Sequence, residues 1–401
     1  MYQGKTLTFS NRINLIKPSS TMALTSKANE MRQQGEDVIV LTVGEPDFDT
    51  PAYIKDAAKI AIDSGKTKYT SVDGTIDLKK AIIKKFQSEN NLSYTTDEII
   101  VSAGCKQSIF NMLQVLIDQG DEVIIPEPYW VSYSDMVVYA GGKPIMLKTF
   151  YSDNFNIDIE KLGQAITSKT KLLMLNSPNN PSGKYFCKQT LSSIAETIIK
   201  HEKIFISSDD IYEHIHWHDE KFHNIVNVCP ALKERTVVLN GVSKAYSMTG
   251  WRIGYAAGNS EVIKKMKTLQ SQSTSCASSI SQAAAAAALT QECLELPKMK
   301  SEYKKRHDFV VESLNKIDGV LCKETDGTFY VFPSFDKYIS KNKNILDDTE
   351  LAMHLLNQAK VAVVPGSAFG MSGHIRLSIA IDMGSLKKAM SRITSTLNDF
   401  K

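Results

Sequence analysis

Short runs of consecutive apolar residues alternate with longer stretches in which apolar residues recur every three or four positions. The runs are Ile99-Ile-Val101, Val123-Ile-Ile125, Ile145-Met-Leu147, Leu172 to Leu175, Ile204 to Ser207, Val237 to Leu239 and Ile253 to Ala257. Continuous Ile/Val/Leu runs of this length read as strands buried on both faces, and the amphipathic stretches between them as helices. The alternation predicts an α/β architecture: a mostly parallel seven-stranded sheet flanked by helices. Upstream, the pattern predicts a helix over 23–34 ended by Gly35, a strand over 38–43, and a helix capped by Thr50 with Pro51 at its first position. That helix would turn Ile54, Ala57, Ala58, Ala61 and Ile62 inward, and the next one Leu78, Ala81, Ile82 and Phe86. The alanine run 283–288 reads as a closely packed helix.

After about Leu296 the texture changes. A long polar helix over 299–317 leads to an alternating strand over 327–332, a helix over 349–359, and short strands at 361–364 and 375–379. This reads as a smaller α+β domain. The expected division is residues 1–48 as an N-terminal arm and part of the small domain, 49–295 as the large domain, and 296–401 as the small C-terminal domain.

Composition narrows the class. The 401 residues are 42% hydrophobic and 23% charged, as in a globular protein, with a formal net charge of +3. The basic residues are dispersed, which argues against nucleic acid or an anionic membrane as partner. No apolar run is long enough to span a bilayer, and no leader segment is expected. The six cysteines (105, 187, 229, 276, 293, 322) form no C-x-x-C pair. Reduced thiols in a cytoplasmic protein are the reading.

Candidate chemistry centres on one stretch. Lys244 follows the buried run 237–239 after a few small residues, and burial there would lower its pKa, as a Schiff-base lysine needs. Arg252 lies eight residues on, after Thr249-Gly250, with a guanidinium suited to a phosphate. A lysine that bonds an aldehyde and an arginine that holds the same ligand's phosphate point to pyridoxal phosphate. Gly104-Cys105-Lys106-Gln107 follows another strand and opens a helix, whose free N–H groups favour an anion. His214, His216 and His218 alternate around Trp217 and would share one face of a strand, but no acidic or cysteine partner has convincing spacing, so no metal is expected.

Ser243-Lys-Ala-Tyr-Ser-Met-Thr-Gly-Trp-Arg252 resembles the lysine motif of class I aminotransferases, of pyridoxal phosphate (PLP) fold type I. The likeness runs from about Arg12 onward and is closest to the bacterial aspartate/prephenate group. It implies Lys244 as the catalytic residue, with Gly104, Cys105, Lys106, Ser243 and Arg252 around the cofactor. By the same resemblance Trp130 stacks on the cofactor ring. Asn176-Ser-Pro-Asn-Asn-Pro-Ser-Gly183 is similar to the family's N-P-T-G signature, with Ser182 for threonine, and makes Asn180 a partner of the phenolic oxygen. The family's D-x-x-Y spacing falls on Asp209, for the ring nitrogen, and Tyr212, for the phenolic oxygen; Asp210 stands where the family has glutamate. Adjacent strand residues face opposite ways, so only one of the two aspartates can reach the ring.

The resemblance further implies a homodimer with shared sites, Tyr69 crossing to the partner's cofactor phosphate. It implies Gly44 and Arg376 at the substrate carboxylate. The stretch Gln270 to Ser279 contains no arginine or lysine for a second carboxylate. Lys106 is the candidate instead, with Thr21 and Ser19 as hydroxyl donors. The expected activity is transfer of an amino group between amino acids and 2-oxo acids: aspartate with 2-oxoglutarate, and prephenate as a further acceptor. An aminotransferase of other donors, aromatic or alanine-type, a β-lyase or synthase on the same fold, and a cofactor-binding sensor domain are the alternatives.

Overall fold

A computed structural model of the chain describes residues 8–16, 20–341 and 345–399, of which 20–23, 340 and 341 are described by their backbone alone. In chain order the strands are β1 (Ile39–Val40), β2 (Ile99–Ser102), β3 (Glu122–Pro126), β4 (Lys143–Leu147), β5 (Thr170–Asn176), β6 (Phe205–Asp209), β7 (Thr236–Gly241), β8 (Gly254–Ala257), β9 (Tyr330–Val331), β10 (Val361–Ala362), β11 (Val364–Pro365) and β12 (Ile375–Ser378). The seven apolar runs form one sheet in the order β2-β8-β7-β6-β5-β3-β4. Pairings from β4 across to β7 are parallel, and β8 runs against both β7 and β2.

The period-2 geometry of these strands divides their side chains between two cores. Val101, Ile124, Leu173 and Val238 point to one face, against Ile82, Phe86 and the alanine helix Ser279–Thr290. Ile100, Val123, Leu172 and Val237 point to the other, against Ile109, Met112 and Met266. Both faces are covered, which explains the unbroken apolar runs. A third core gathers Leu24 and Leu41 with Tyr303, Leu314, Phe329, Leu377 and Ile393, around two small sheets, β1-β10 and β11-β12-β9. The helix Glu295–Asn315 supplies Tyr303 and Leu314 to it.

Three local expectations change. Thr50 caps no helix: the helix Ala52–Asp63 starts from Pro51 with no side-chain cap. The Thr50 hydroxyl instead donates to the Ser247 carbonyl at 2.6 Å and accepts from Trp251 Nε1 at 3.0 Å, tying this corner to the Lys244 loop. In that helix Ile54, Ala58 and Ala61 are buried, but Ile62 is exposed, because the 3.6-residue repeat carries it past the inward stripe. The strands expected over 38–43 and 327–332 shrink to β1 and β9, since backbone groups beside them bond elsewhere. The Thr42 carbonyl accepts from Arg376, and Thr328 N donates to the Ile215 carbonyl.

The closest approach in the large sheet lies where β8 meets the start of the helix Cys105–Leu116. A methyl group on Gly254 would overlap the backbone of Gly104 and Cys105. Gly254→Ala should therefore lower stability by about 1–3 kcal/mol in urea unfolding, the usual cost of overpacking. Gly250→Ala, with no neighbour within 4 Å of the added carbon, should change it little.

Candidate active site

The carboxyl ends of parallel strands are where a doubly wound sheet leaves room for a ligand. Here β5, β6 and β7 end around a pocket of about 460 Å³. It collects Gly44, Cys105, Lys106, Trp130, Asn180, Asp209, Tyr212, Ser243, Lys244, Arg252 and Arg376 from far-separated positions.

Lys244 is half-buried. Its Nζ donates to the Gly44 carbonyl at 2.6 Å, and the rings of Tyr212 and Phe329 lie 5.7 and 5.9 Å away. Dense surrounding protein brings its pKa down to about 8; the Arg376 cation acts in the same direction, while Glu45 opposes it. Such an amine has a far larger neutral, nucleophilic fraction near physiological pH than a lysine in solvent.

Asp209 ends β6 with its carboxylate on the pocket side. Oδ2 accepts from the Tyr133 hydroxyl at 2.5 Å, and Ile211 N donates to Oδ1 at 3.4 Å. Burial raises its pKa to about 6 against the opposing pull of those two donors and Lys244. Asp210 faces the other way, accepting from the Ser208 hydroxyl at 2.7 Å and from Asn224 Nδ2. The strand alternation thus selects Asp209 for the pocket.

Around the lysine, an anion seat is built largely from backbone. Gly104 has φ +86°, and a side chain there would collide with the Arg252 guanidinium. Arg252 donates to the carbonyls of Thr249 at 2.8 Å and Ala103 at 3.3 Å, which aligns it beside the first N–H groups of the helix Cys105–Leu116. Cys105 lines the pocket, but burial pushes its thiol pKa well up. Its main chain is the useful part.

Arg376 is buried on β12. It donates to Asn180 Oδ1 at 3.0 Å and to the Thr42 carbonyl at 2.6 Å, while its Nε has no partner among the described residues. Its guanidinium lies over the rings of Tyr330 and Phe369, at 4.5 and 4.9 Å. A buried guanidinium with a donor to spare can take a carboxylate. At another wall Lys106 Nζ lies 4.6 Å from the Trp130 ring centre, with no carboxylate within 4 Å among the described residues. Burial, and then Arg252, lower its pKa.

Two expected site residues stand apart. Tyr69 is 93% exposed, outside the pocket, beside a shallow hollow lined by Cys276 and Ser279. Thr21 has its side chain outside the described residues, and Ser19 lies outside them altogether. Tyr133, Tyr330, Thr42 and Glu45 line the pocket without having been singled out from sequence. Glu45 accepts from the Thr249 hydroxyl at 3.0 Å. Tyr133 and Tyr330 carry no motif, and only the pairing of distant elements puts them here.

The histidines do not form one face. His216 and His218 stack against Tyr185, whereas His214 bonds Glu89 at 2.8 Å. The acidic partners missed by spacing are Glu89 and Glu213, close enough to His214 for a shared ion. The buried Lys85 ammonium already bonds Glu213 and lies 3.5 Å from Glu89, supplying the positive charge a cation would bring.

Comparison with known proteins places this architecture in PLP fold type I. The aspartate aminotransferase of Rhizobium meliloti superposes with a TM-score of 0.94, at 45% identity over 98% of this chain and 99% of that one. The enzyme of Thermus thermophilus, solved with maleate, superposes at 0.92, with 41% identity over 98% of this chain and all of that one. An aspartate/prephenate aminotransferase of Nitrosomonas europaea is 48% identical over 97% of this chain and 99% of its own length. The family model for aminotransferase class I and II matches residues 36–393. The chain belongs to that family and is a transaminase.

The lowered lysine pKa has a direct consequence. Only the neutral amine adds to a carbonyl, so labelling of Lys244 in the cofactor-free protein by a small aldehyde and borohydride should rise with pH to a half-maximum near about 8. Exposed lysines should reach theirs about two units higher. Peptide mass spectrometry across the pH series reads both.

Proposed function

We propose that the protein is a PLP-dependent aspartate aminotransferase. It takes L-aspartate and 2-oxoglutarate to oxaloacetate and L-glutamate, acts in the cytoplasm, and accepts prephenate as a further 2-oxo acid. The observation that carries the substrate reading is the pair of cations left in the pocket once Lys244 and Arg252 are given to the cofactor: Arg376 with a free donor, and Lys106 without a carboxylate among the described residues. Two carboxylates on a small substrate match two cations. The names of the relatives and the maleate of the Thermus structure, itself a dicarboxylate, agree with this.

The pocket's donor set suits the cofactor. Arg252, Ser243 and the N–H groups after Gly104 would hold the phosphate. Trp130 would cover the ring, Asp209 would keep its nitrogen protonated, and Asn180 and Tyr212 would take the phenolic oxygen. When bound, pyridoxal phosphate supplies an aldehyde for the amino group and a ring that accepts electrons from the substrate's Cα. Lys244 would hold that aldehyde and, as a neutral amine, would carry the proton lost from the substrate's Cα to the carbon that bore the aldehyde. Arg376 and the Gly44 loop orient the α-carboxylate, and Lys106 the distal one. Closure of the third core over the sheet would exclude water.

Lys106→Ala tests the substrate reading. A charge-assisted contact is worth about 1.5–3 kcal/mol, so kcat/KM for aspartate should fall roughly ten- to a hundred-fold. Rates with alanine or phenylalanine as donor should hardly move. An equal fall for every donor would assign Lys106 to the cofactor.

The same reading makes the active form a homodimer. Tyr69, 93% exposed on a loop fixed by Gln282 through Thr70 Oγ1 at 3.0 Å, would reach into the partner's phosphate seat. Sedimentation should give a dimer, and Tyr69→Phe should loosen cofactor binding about three- to tenfold, the worth of one hydrogen bond. A fully active monomer would refute this.

A further inference from the structure

Tyr330 touches three of the groups assigned above. It stands on β9, buried, in the third core. Its hydroxyl lies 2.9 Å from that of Tyr212. Its ring carries the Arg376 guanidinium at 4.5 Å. A carbon added to Gly44 would come within 2.6 Å of its oxygen, so glycine leaves that hydroxyl its room.

Between two hydroxyl oxygens at this distance there is space for one proton. One tyrosine therefore donates and the other accepts. The cation over the Tyr330 ring favours negative charge on that side chain and makes Tyr330 the better donor. Burial raises the pKa of both hydroxyls and Arg376 works against the rise in both, whereas the bond between them adds to it in Tyr212 and opposes it in Tyr330. With Tyr330 donating, the Tyr212 oxygen has one lone pair occupied and its own proton pointing elsewhere. Tyr212 and Tyr330 both line the pocket, which is the open direction.

We propose that Tyr330 is a positioning residue: by donating to Tyr212 it aims the Tyr212 proton at the phenolic oxygen of bound cofactor, and by seating Arg376 on its ring it links that aim to the group that takes the substrate carboxylate. The proposal rests on the pyridoxal phosphate reading. It gives Arg376 two roles. One is to hold the carboxylate; the other is to polarise the tyrosine pair that faces the cofactor.

Tyr330→Phe keeps the ring, and with it the Arg376 contact, but removes the donor. The test compares Tyr330→Phe, Tyr212→Phe and the double variant, each loaded with pyridoxal phosphate. Of the charged and titratable groups facing Tyr212, only Tyr330 differs between variants; Arg376, Asp209, Lys244 and Tyr133 are the same in each. A donor to the phenolic oxygen favours its ionised form, so weakening that donor should raise the pH midpoint of the cofactor's visible absorbance. Tyr330→Phe should raise it by about half a unit to one unit, less than Tyr212→Phe does. Its kcat should fall about three- to tenfold with KM for aspartate within about twofold. In the Tyr212→Phe background the second change should add almost nothing. An unshifted midpoint in Tyr330→Phe, additive effects in the double variant, or a rise in KM alone would overturn the proposal while leaving the cofactor reading in place. A wild-type chain that takes up no borohydride-reducible cofactor would overturn both.

Discussion

The structure depends on crowding one amine with protein. Lysine left in solvent is protonated at neutral pH and useless as a nucleophile; it becomes useful when its ammonium form is disfavoured by its surroundings. Lys244 receives that treatment from several separate parts of the chain. β7 delivers it to the end of the sheet, and the Gly44 carbonyl from the N-terminal region takes its hydrogen bond. Tyr212 and Phe329 bring aromatic faces, and Arg376 adds a like charge from the third core. The lowered pKa is thus a property of the assembled fold, since no segment by itself supplies the low-dielectric enclosure.

Assembly of that kind needs polar groups inside the protein, and two buried networks beside the pocket find partners for theirs. Glu213, next to Tyr212, accepts from Lys85 and from Asn90 and Asn240, so that the turn after β6 is tied to β7 four residues before the lysine. Gln270 bonds the carbonyls of Val72 and Val101 and accepts from Ser102 and Asn111, fixing the loop beyond Tyr69 against β2 and the helix behind the anion seat. Buried networks whose members all find partners make a structure rigid, where a half-satisfied one would weaken it. The groups that line the pocket sit on the ends of elements held this way.

Much of this was legible from the chain. Unbroken apolar runs gave the strands, because a sheet covered on both faces leaves no polar alternation to confuse them. Lys244 and Arg252 could be chosen on chemistry alone, and Asp209 over Asp210 from strand geometry with the family's spacing. What sequence hid was whatever depends on two distant segments meeting. Thr50 looks like a helix cap by every local rule, yet its hydroxyl is drawn off by Ser247 and Trp251. Glu89 and Glu213 lie far from each other in the chain and meet only in the folded protein, around His214 and Lys85. Tyr133 and Tyr330 carry no local mark of a polar task, because the Asp209 carboxylate and the Tyr212 hydroxyl they serve come from another strand end.

The anion seat has a geometry of its own. Gly104 against Arg252, and Gly254 against Cys105, are packed so closely that neither glycine has room for one more carbon. On the Gly254 side the dimensions of the seat are set by the main chain of Gly104 and Cys105, and on the Gly104 side by the Arg252 guanidinium. The side chain at 105 defines neither wall. Two properties are thereby separated: the shape of the seat, which its two glycines guard, and the chemical character of its lining. The Cys105 thiol belongs to the second, changing what faces the pocket while the main chain beside it keeps its place.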